Sequence, residues 1–242
     1  MDIEALKLTA RFSMSPNHLG YCGLDSAESK FRKCIIEGKN EGIEEEVKHF
    51  IVLNPYLETI SKIIKKNKFD YEVAESYWLG NEELNKVKLK DYDLLLESFS
   101  KQGVPEWLIE ELKNKRPKKF IPTHLFQVLH VGVGRASGSV PFNIQTINNC
   151  IVRWGRVLGK NKIKKTKEKT LMIELNSLEE KRGKYKLKIT EERVEIDESL
   201  NPGVTVGDMV AVHWGRVAKK LTQDEAEKLE YWTKEVLKNT RG

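Results

Sequence analysis

The spacing of apolar residues changes from helical to alternating near the middle of this 242-residue chain. Up to about residue 115, apolar side chains recur every three or four positions, which predicts five or six short helices packed as a bundle. From Cys150 onward, short runs rich in Val, Ile, Trp and Tyr alternate with polar residues, as in strands. We therefore expect an α+β fold, in which an N-terminal helical bundle precedes a small antiparallel β-barrel and a C-terminal helix.

A segment rich in glycine and serine separates the two patterns. Three glycines fall between residues 132 and 138, which indicates a flexible junction between two units. We place the domain boundary at this junction. Residues 1–143 are predicted to form a helical domain with a polar N-terminal loop, and residues 144–242 the barrel with the last helix.

Capping residues and turn residues predict where individual elements begin and end. Asp25 or Ser26 is expected to cap a helix that ends at Gly38. The spacing of Thr222 and Glu225 is that of a capping box, which predicts the start of the last helix. Before this last helix, five strands are predicted, over residues 150–158, 170–175, 185–189, 193–196 and 209–214.

The net charge of +6 lies in the second half of the chain. Residues 1–143 hold 21 basic and 21 acidic residues, so the excess falls in residues 144–242. This second half contains a lysine-rich run. We interpret the run as a solvated hairpin tip, and contact with an anion or an acidic partner is the alternative. The run consists of Lys160, Lys162, Lys164, Lys165, Lys167 and Lys169.

Several classes of protein lack support in this sequence. No apolar run approaches the length of a membrane span, and residues 1–4 do not begin a standard secretory signal. Three widely spaced cysteines do not form a disulfide framework, so we expect a cytoplasmic protein. The motifs of phosphate-binding loops, serine hydrolases, zinc proteases and thioredoxins do not occur.

The polar segment of residues 11–23 is a first candidate site. His18 and Cys22 lie four positions apart, a spacing that suits a shared metal ion only in a helix or a tight turn. Pro16 and Gly20 argue against a regular helix. We therefore favour a structural loop for this segment, with Asn17 and Tyr21 beside the pair.

Two histidines of the segment 124–130 are a second candidate. His124 and His130 lie six positions apart among apolar residues. Because this spacing does not align two side chains on one helical face, we interpret both as buried histidines with hydrogen-bond partners.

The most specific pattern occupies two segments of the second half. One reads NCIVRWGRVL over residues 149–158, and the other reads VGDMVAVHWG over residues 206–215. Together with Leu221 and the pair Glu225-Ala226, they make residues 148–240 resemble the HypC/HupF family of nickel–iron hydrogenase assembly chaperones. That family has a small OB-like barrel followed by a helix, and Cys150 and His213 occupy its cysteine and histidine positions.

The resemblance implies a cargo, partners and a role for two residues. In the HypC family, the cysteine and histidine hold an iron that carries cyanide and carbon monoxide. The iron comes from the partner HypD and is delivered to the hydrogenase large subunit. Cys150 would then be the thiolate ligand and His213 the second contact. The family's cysteine stands at the N-terminus, whereas 149 residues precede Cys150 here.

The first half also resembles an uncharacterised family of archaeal and actinobacterial proteins with the same two-part layout. The similar segments are residues 11–23 and 75–81. This layout suggests a composite site, in which the opening segment brings His18 and Cys22 toward Cys150 and His213.

Our leading hypothesis is a HypC-like accessory protein that binds or delivers a metal-centre fragment, or docks a hydrogenase or its maturation partner, without catalytic turnover. One alternative is an enzyme with Cys22 or Cys150 as its nucleophile. Another is a basic barrel that binds nucleic acid, with exposed Trp154 or Tyr185 as a stacking platform.

Overall fold

The computed structural model describes residues 2–24, 27–162 and 169–239, with the backbone alone at 161 and 162. Helices precede five strands in this part of the chain, and one helix follows them, which confirms the α+β class. The helices are α1 (Ile3–His18), α2 (Glu28–Glu37), α3 (Ile43–Lys48), α4 (Leu53–Ile64), α5 (Tyr71–Trp78), α6 (Tyr92–Gln102), α7 (Glu106–Asn114), α8 (His124–Phe126), α9 (Ile144–Cys150) and α10 (Gln223–Asn239). Two 3-10 turns, Glu82–Lys86 and Leu89–Asp91, and a π-helix, Gln127–Gly132, complete the helical elements.

The predicted helix ends are confirmed where the structure describes them. Gly38 ends α2 in the left-handed conformation, at φ +68°, whereas Asp25 and Ser26 lie outside the described residues. Before α10, the backbone N–H of Glu225 donates to Thr222 Oγ1 at 3.2 Å, and the Thr222 N–H donates to the Glu225 carboxylate at 2.9 Å. None of the described helices is long and apolar enough to cross a membrane.

The polar N-terminal loop predicted at residues 11–23 is shorter than expected, because α1 continues through Pro16 to His18 and turns begin only at residue 19. A proline inside a helix lacks the N–H that would donate to the carbonyl four residues earlier. In this chain that carbonyl belongs to Phe12, and the ring of His213 contacts it instead. The lost helical bond is thus replaced by a contact with the sheet.

The five strands form one sheet that closes on itself. They pair in the order β1-β2-β3-β5-β4, and β4 pairs again with β1. The pairs are antiparallel except for β3 and β5, which share one parallel pair, Glu195 with Arg216. The strands are β1 (Arg153–Lys162), β2 (Lys169–Lys181), β3 (Lys184–Ile196), β4 (Met209–His213) and β5 (Arg216–Lys220).

Three predictions about the strands need correction. Cys150 is the last residue of α9 and does not begin a strand, because the Asn143 side chain caps a helix there, with bonds to the N–H groups of residues 145 and 146. The two runs predicted at 185–189 and 193–196 are one strand, since β3 pairs along its whole length with β2. β5 was not predicted.

The buried apolar side chains of the described residues form two hydrophobic cores. The smaller core lies in the sheet and includes Val157, Ile173 and Val212. The larger one takes side chains from both sides of residue 143, such as Phe12 of α1 and Trp232 of α10. The boundary at residue 143 stays a prediction. What the packing provides is a buried junction between helices and sheet.

A candidate metal centre between the helices and the sheet

Three side chains able to bind a metal ion meet at this buried junction. His124 begins α8, Cys150 ends α9 and His213 ends β4. Their ligand atoms all lie within 4.8 Å of one another, and all three residues are buried. In the part of the chain that the structure describes, no other group of histidines, cysteines and carboxylates meets this spacing.

Local backbone features place each of the three residues. Thr123 caps the start of α8, where its Oγ1 accepts the Phe126 N–H at 3.3 Å. A tight turn follows His213, with Trp214 and Gly215 both at positive φ, +50° and +72°. The Trp214 N–H donates to the Asn149 carbonyl at 2.8 Å. This bond ties the end of β4 to the end of α9 and so brings His213 beside Cys150.

Both histidines contact the Cys150 carbonyl oxygen. His124 Nε2 lies 2.6 Å from this oxygen, and His213 Nε2 lies 2.7 Å from it. The Cys150 Sγ lies 3.9 Å from His124 Nε2. The two Nε2 atoms and the sulfur therefore share one small buried space.

The hydrogen-bond partners of His213 exceed what a neutral imidazole can satisfy. Its Nδ1 lies 2.6 Å from the Phe12 carbonyl oxygen, and its Nε2 faces the Cys150 carbonyl oxygen. A carbonyl only accepts, and neutral imidazole has a single N–H to donate. If Nδ1 donates to Phe12, which has no helical donor, then Nε2 turns an unshared lone pair toward Cys150.

His124 has the same kind of contacts. Its Nδ1 lies 2.9 Å from the Tyr77 hydroxyl, which also contacts Gln127 Oε1. In one tautomer Nδ1 donates to Tyr77 and Nε2 keeps a lone pair. In the other, Nδ1 accepts from Tyr77 and Nε2 donates to the Cys150 carbonyl, 2.6 Å away. Binding of a metal ion requires the first tautomer, in which both Nε2 atoms carry the lone pair that binds metal ions.

Burial sets the protonation of the cluster. It lowers the pKa of His124 to about 3, with His213 nearby as a further cause. It also lowers the pKa of His213 to about 4. Burial raises the pKa of the Cys150 thiol, and the charge of a Cys22 thiolate would raise it further. At neutral pH the site holds two neutral imidazoles and a thiol, and this thiol would have to lose its proton to bind a metal ion.

The donor set fits a transition metal ion. Imidazole nitrogen and thiolate sulfur suit zinc, copper, iron and nickel, whereas magnesium and calcium prefer oxygen. Metal-binding histidines usually donate their other N–H to a carbonyl or another protein group, and the two Nδ1 atoms lie within hydrogen-bond distance of such groups here. A cation at Nε2 would also remove the clash of the His213 lone pair with the Cys150 oxygen. Three protein donors leave a coordination position for an added ligand.

A cavity of about 390 Å³ opens onto the cluster and includes part of the predicted composite site. Tyr21 and Cys22 line it together with Cys150 and His213. The Tyr21 ring packs on Trp214, with ring centroids 4.6 Å apart. Cys22 is exposed as a residue, yet the atoms that crowd its sulfur raise the pKa of the thiol to about 11.

The other two residues of the composite site lie outside the cavity wall. His18 is at the surface, where its Nδ1 contacts the Glu28 carboxylate at 2.7 Å. Asn17 is buried and donates to the carbonyls of Cys22 and Leu24, at 3.0 and 2.7 Å. Asn17 therefore holds the segment that carries Tyr21 and Cys22 against the cavity.

One family model matches residues 2–242 of the chain. The chain belongs to the family of unknown function DUF6390. Searches of the curated proteins and of the solved structures returned no match. A match across the whole chain is consistent with the expectation of an uncharacterised two-part family. The resemblance of residues 148–240 to HypC stays a prediction for this DUF6390 protein.

The structure describes the side chains of only two lysines of the lysine-rich run, Lys160 and Lys169. Lys164, Lys165 and Lys167 fall outside the described residues, and Lys162 is described by its backbone alone. Lys160 is in β1, and Lys169 pairs with the Glu198 carboxylate.

The expectation of an exposed Trp154 was wrong. This residue is buried, at 3% exposure, because its side chain joins the larger core between the sheet and the helices. Tyr185 is half-buried. The sheet therefore lacks one of the two stacking platforms that the nucleic-acid hypothesis used.

His124 is the site residue that sequence reasoning missed. Its spacing from His130 indicated two structural histidines, and His130 does bind the Tyr92 hydroxyl at 2.8 Å. His124 is also buried and hydrogen-bonded, but one of its contacts is Cys150. The only signal in the sequence was its position after Thr123, a helix-capping residue that fixes where the ring points.

Proposed function

We propose that this protein binds a transition-metal fragment at His124, Cys150 and His213 and passes it to a partner protein. The observation that carries the proposal is the convergence of three buried donor atoms within 4.8 Å. The two Nδ1 contacts, with Phe12 and Tyr77, support it further, because with both Nδ1 atoms as donors each Nε2 atom keeps a lone pair for a metal ion.

The cargo we propose is iron with cyanide and carbon monoxide ligands, as in the HypC family. Cys150 is the thiolate ligand, His213 the second contact and His124 a third one from the helical half. A closed five-stranded sheet followed by α10 supports an OB-like barrel of the HypC kind. The partner is a HypD-like maturation protein or a hydrogenase large subunit, and the lysine-rich run is a candidate contact for it.

The chemistry of the thiols favours binding over nucleophilic catalysis. A catalytic cysteine needs a lowered pKa, because the thiolate is the nucleophile. Burial raises the pKa of both Cys22 and Cys150, and the pKa of each nearby histidine is lowered. These shifts oppose a thiolate–imidazolium pair. They are compatible with a thiol that gives up its proton only to a metal ion.

The test compares two cysteine variants of protein purified anaerobically from its native host. Iron content and the infrared spectrum are measured on the same samples. We expect bound iron with cyanide and carbon monoxide stretches in the unmodified protein and their loss in Cys150→Ala. Cys34→Ala is the matched control, since Cys34 is also buried but lies in α2, and it should keep the signals.

Two outcomes would count against the proposal. An iron-free protein without these stretches would exclude the iron fragment as cargo. Zinc or cobalt binding to the purified protein would then decide whether a metal centre exists at all. If the affinity for either ion is the same in Cys150→Ala as in Cys34→Ala, the cluster is structural and the proposal fails.

A further inference from the structure

A second cavity lies between α1, α2 and the sheet and is separate from the metal cluster. It measures about 410 Å³, a volume in the range of small-molecule sites. None of the three cluster residues lines it. The described part of its wall combines apolar side chains, such as Met14 and Ile35, with four cations and four carboxylates. The pairing of these charges shows which of them is open to a ligand.

Three of the four cations are paired with carboxylates that line the same cavity. The pairs are Arg32 with Asp197, Lys169 with Glu198 and Arg216 with Glu195. The fourth carboxylate, Glu28, contacts His18 Nδ1 at 2.7 Å. Arg11 is thus the cation of this cavity that has no carboxylate partner among the described residues.

Arg11 uses one of its three guanidinium nitrogens for hydrogen bonds to the described residues. Its Nη1 donates to the Leu200 carbonyl at 2.8 Å, and it lies 3.3 Å from both the Ala218 carbonyl and the Asn201 side-chain oxygen. Its Nε and Nη2 make no such bond, and neither is among the fully enclosed polar atoms that lack a partner. These two nitrogens are therefore accessible from the cavity that Arg11 lines.

The open edge of the Arg11 guanidinium is suited to a carboxylate. The Nε–H and one N–H of Nη2 point in the same direction, so they can donate two parallel hydrogen bonds to the two oxygens of one anion. Burial lowers the pKa of Arg11, yet an arginine stays charged at neutral pH. Because this half-buried charge has lost part of its hydration and contacts only neutral oxygens, an anion would stabilise it.

We propose that this cavity binds a small organic carboxylate with an apolar chain, held by Nε and Nη2 of Arg11. The two parallel donors select a planar anion with two oxygens. The apolar side chains of Met14, Ile35 and Val217 in the wall select a hydrocarbon chain over a bare inorganic anion. The carboxylates of the wall disfavour a second negative charge on the ligand. This site goes beyond the proposed metal delivery and does not rest on it.

The test titrates the full chain with butyrate and follows the ¹⁵N–¹H signals of the arginine Nε groups. We expect butyrate to shift the signal of Arg11. The signal of Arg135 should stay in place, because Arg135 pairs with Glu111 and does not line the cavity. Butyramide has the same chain without the charge and should leave the Arg11 signal unchanged.

Two further probes separate the contribution of the chain from that of the charge. Acetate is two CH₂ groups shorter than butyrate and should bind about 10-fold more weakly, since each buried CH₂ adds to the affinity. Inorganic phosphate carries charge without a chain and should also bind more weakly than butyrate.

Substitution tests the two-donor edge itself. Arg11→Lys keeps the positive charge and removes the paired donors, so butyrate affinity should fall about 10-fold or more. Arg32→Lys is the matched control in the same cavity, because Asp197 and Ser199 already hold the Arg32 guanidinium, and it should leave the affinity unchanged. If Arg11→Lys does not fold, the Arg11 signal of the unmodified protein still decides the question.

Four results would overturn the inference. They are an Arg11 signal that butyrate does not shift, butyramide binding as tight as butyrate binding, phosphate binding tighter than butyrate binding, and an equal loss of affinity in Arg11→Lys and Arg32→Lys. A zinc titration of the same samples reports on the proposed metal centre. Zinc binding without butyrate binding would refute the carboxylate site alone, and butyrate binding without zinc binding would refute the metal centre alone.

Discussion

Pro16 removes a helical hydrogen bond and thereby frees an acceptor for a side chain from a distant strand. The carbonyl of Phe12 has no donor from within α1, because proline has no N–H. His213 contacts this carbonyl through Nδ1 at 2.6 Å. Pro16, which argues against a helix in the sequence, thus helps to orient the candidate metal ligand His213.

We expect Pro16→Ala to weaken metal binding without unfolding the protein. Alanine restores an N–H that competes with His213 for the Phe12 carbonyl. Loss of such an orienting bond typically lowers metal affinity about 10- to 100-fold. Competition with a chromophoric zinc chelator measures the change.

Pro55→Ala is the control for this substitution, since Pro55 lies in the first turn of α4, where a helical N–H has no helical acceptor. If Pro16→Ala binds zinc as tightly as Pro55→Ala does, the Phe12 contact does not orient His213.

The sequence predicted two of the three cluster residues and missed the third. Cys150 and His213 stand in motifs whose spacing could be compared with a known pattern. His124 belongs to no such motif, and its role depends on contacts with Tyr77 and Cys150, 47 and 26 positions away. Contacts at such separations depend on tertiary packing, which spacing along one segment does not report.

At the scale of elements, β1 contains two glycines in different surroundings. A Cβ on Gly155 would collide with the carbonyl oxygen of Glu174 on β2, whereas a Cβ on Gly159 would meet open space. We expect Gly155→Ala to lower the free energy of unfolding by about 1–3 kcal/mol, as overpacking does. Gly159→Ala should change it much less. Urea unfolding of the two variants makes the comparison, and equal stabilities would show that β1 and β2 are not this close.

Helices were predicted better than strands, for reasons that differ between elements. The Thr222 capping box and Gly38 carry their signals within one turn of the chain, and both were confirmed. β5 gave no clear alternation, because Arg216–Lys220 is short and basic. Two separate strands were predicted within β3, at residues 185–189 and 193–196, whereas pairing with β2 keeps this strand continuous.

At the scale of the whole molecule, the histidines make stability depend on pH. The pKa is lowered to about 3 in His124 and to about 4 in both His130 and His213, with burial as the main cause. The unfolded chain takes up protons on these residues near pH 6.5, before the folded protein does. Stability should therefore decrease as the pH falls from about 6.5 toward 4.

Urea unfolding at pH 7.5, 6.0 and 5.0 measures this dependence. His130→Asn removes one of the three contributions and lies outside the metal cluster, so its stability should fall less steeply with acidification. If the free energy of unfolding of His130→Asn changes with pH as steeply as that of the unmodified protein, the pKa of His130 is the same in the folded and unfolded chains.

The contact between His213 and Phe12 joins residues 201 positions apart, and this separation has a consequence for biosynthesis. At about 5–20 residues per second, a ribosome adds His213 roughly 10–40 s after Phe12. In the last part of that interval, the 63 residues between Cys150 and His213, the nascent chain holds His124 and Cys150 without the strand that completes their cluster. The proposed metal centre can therefore be complete only after β4 has been made, and the Cys150 thiol must stay reduced until then.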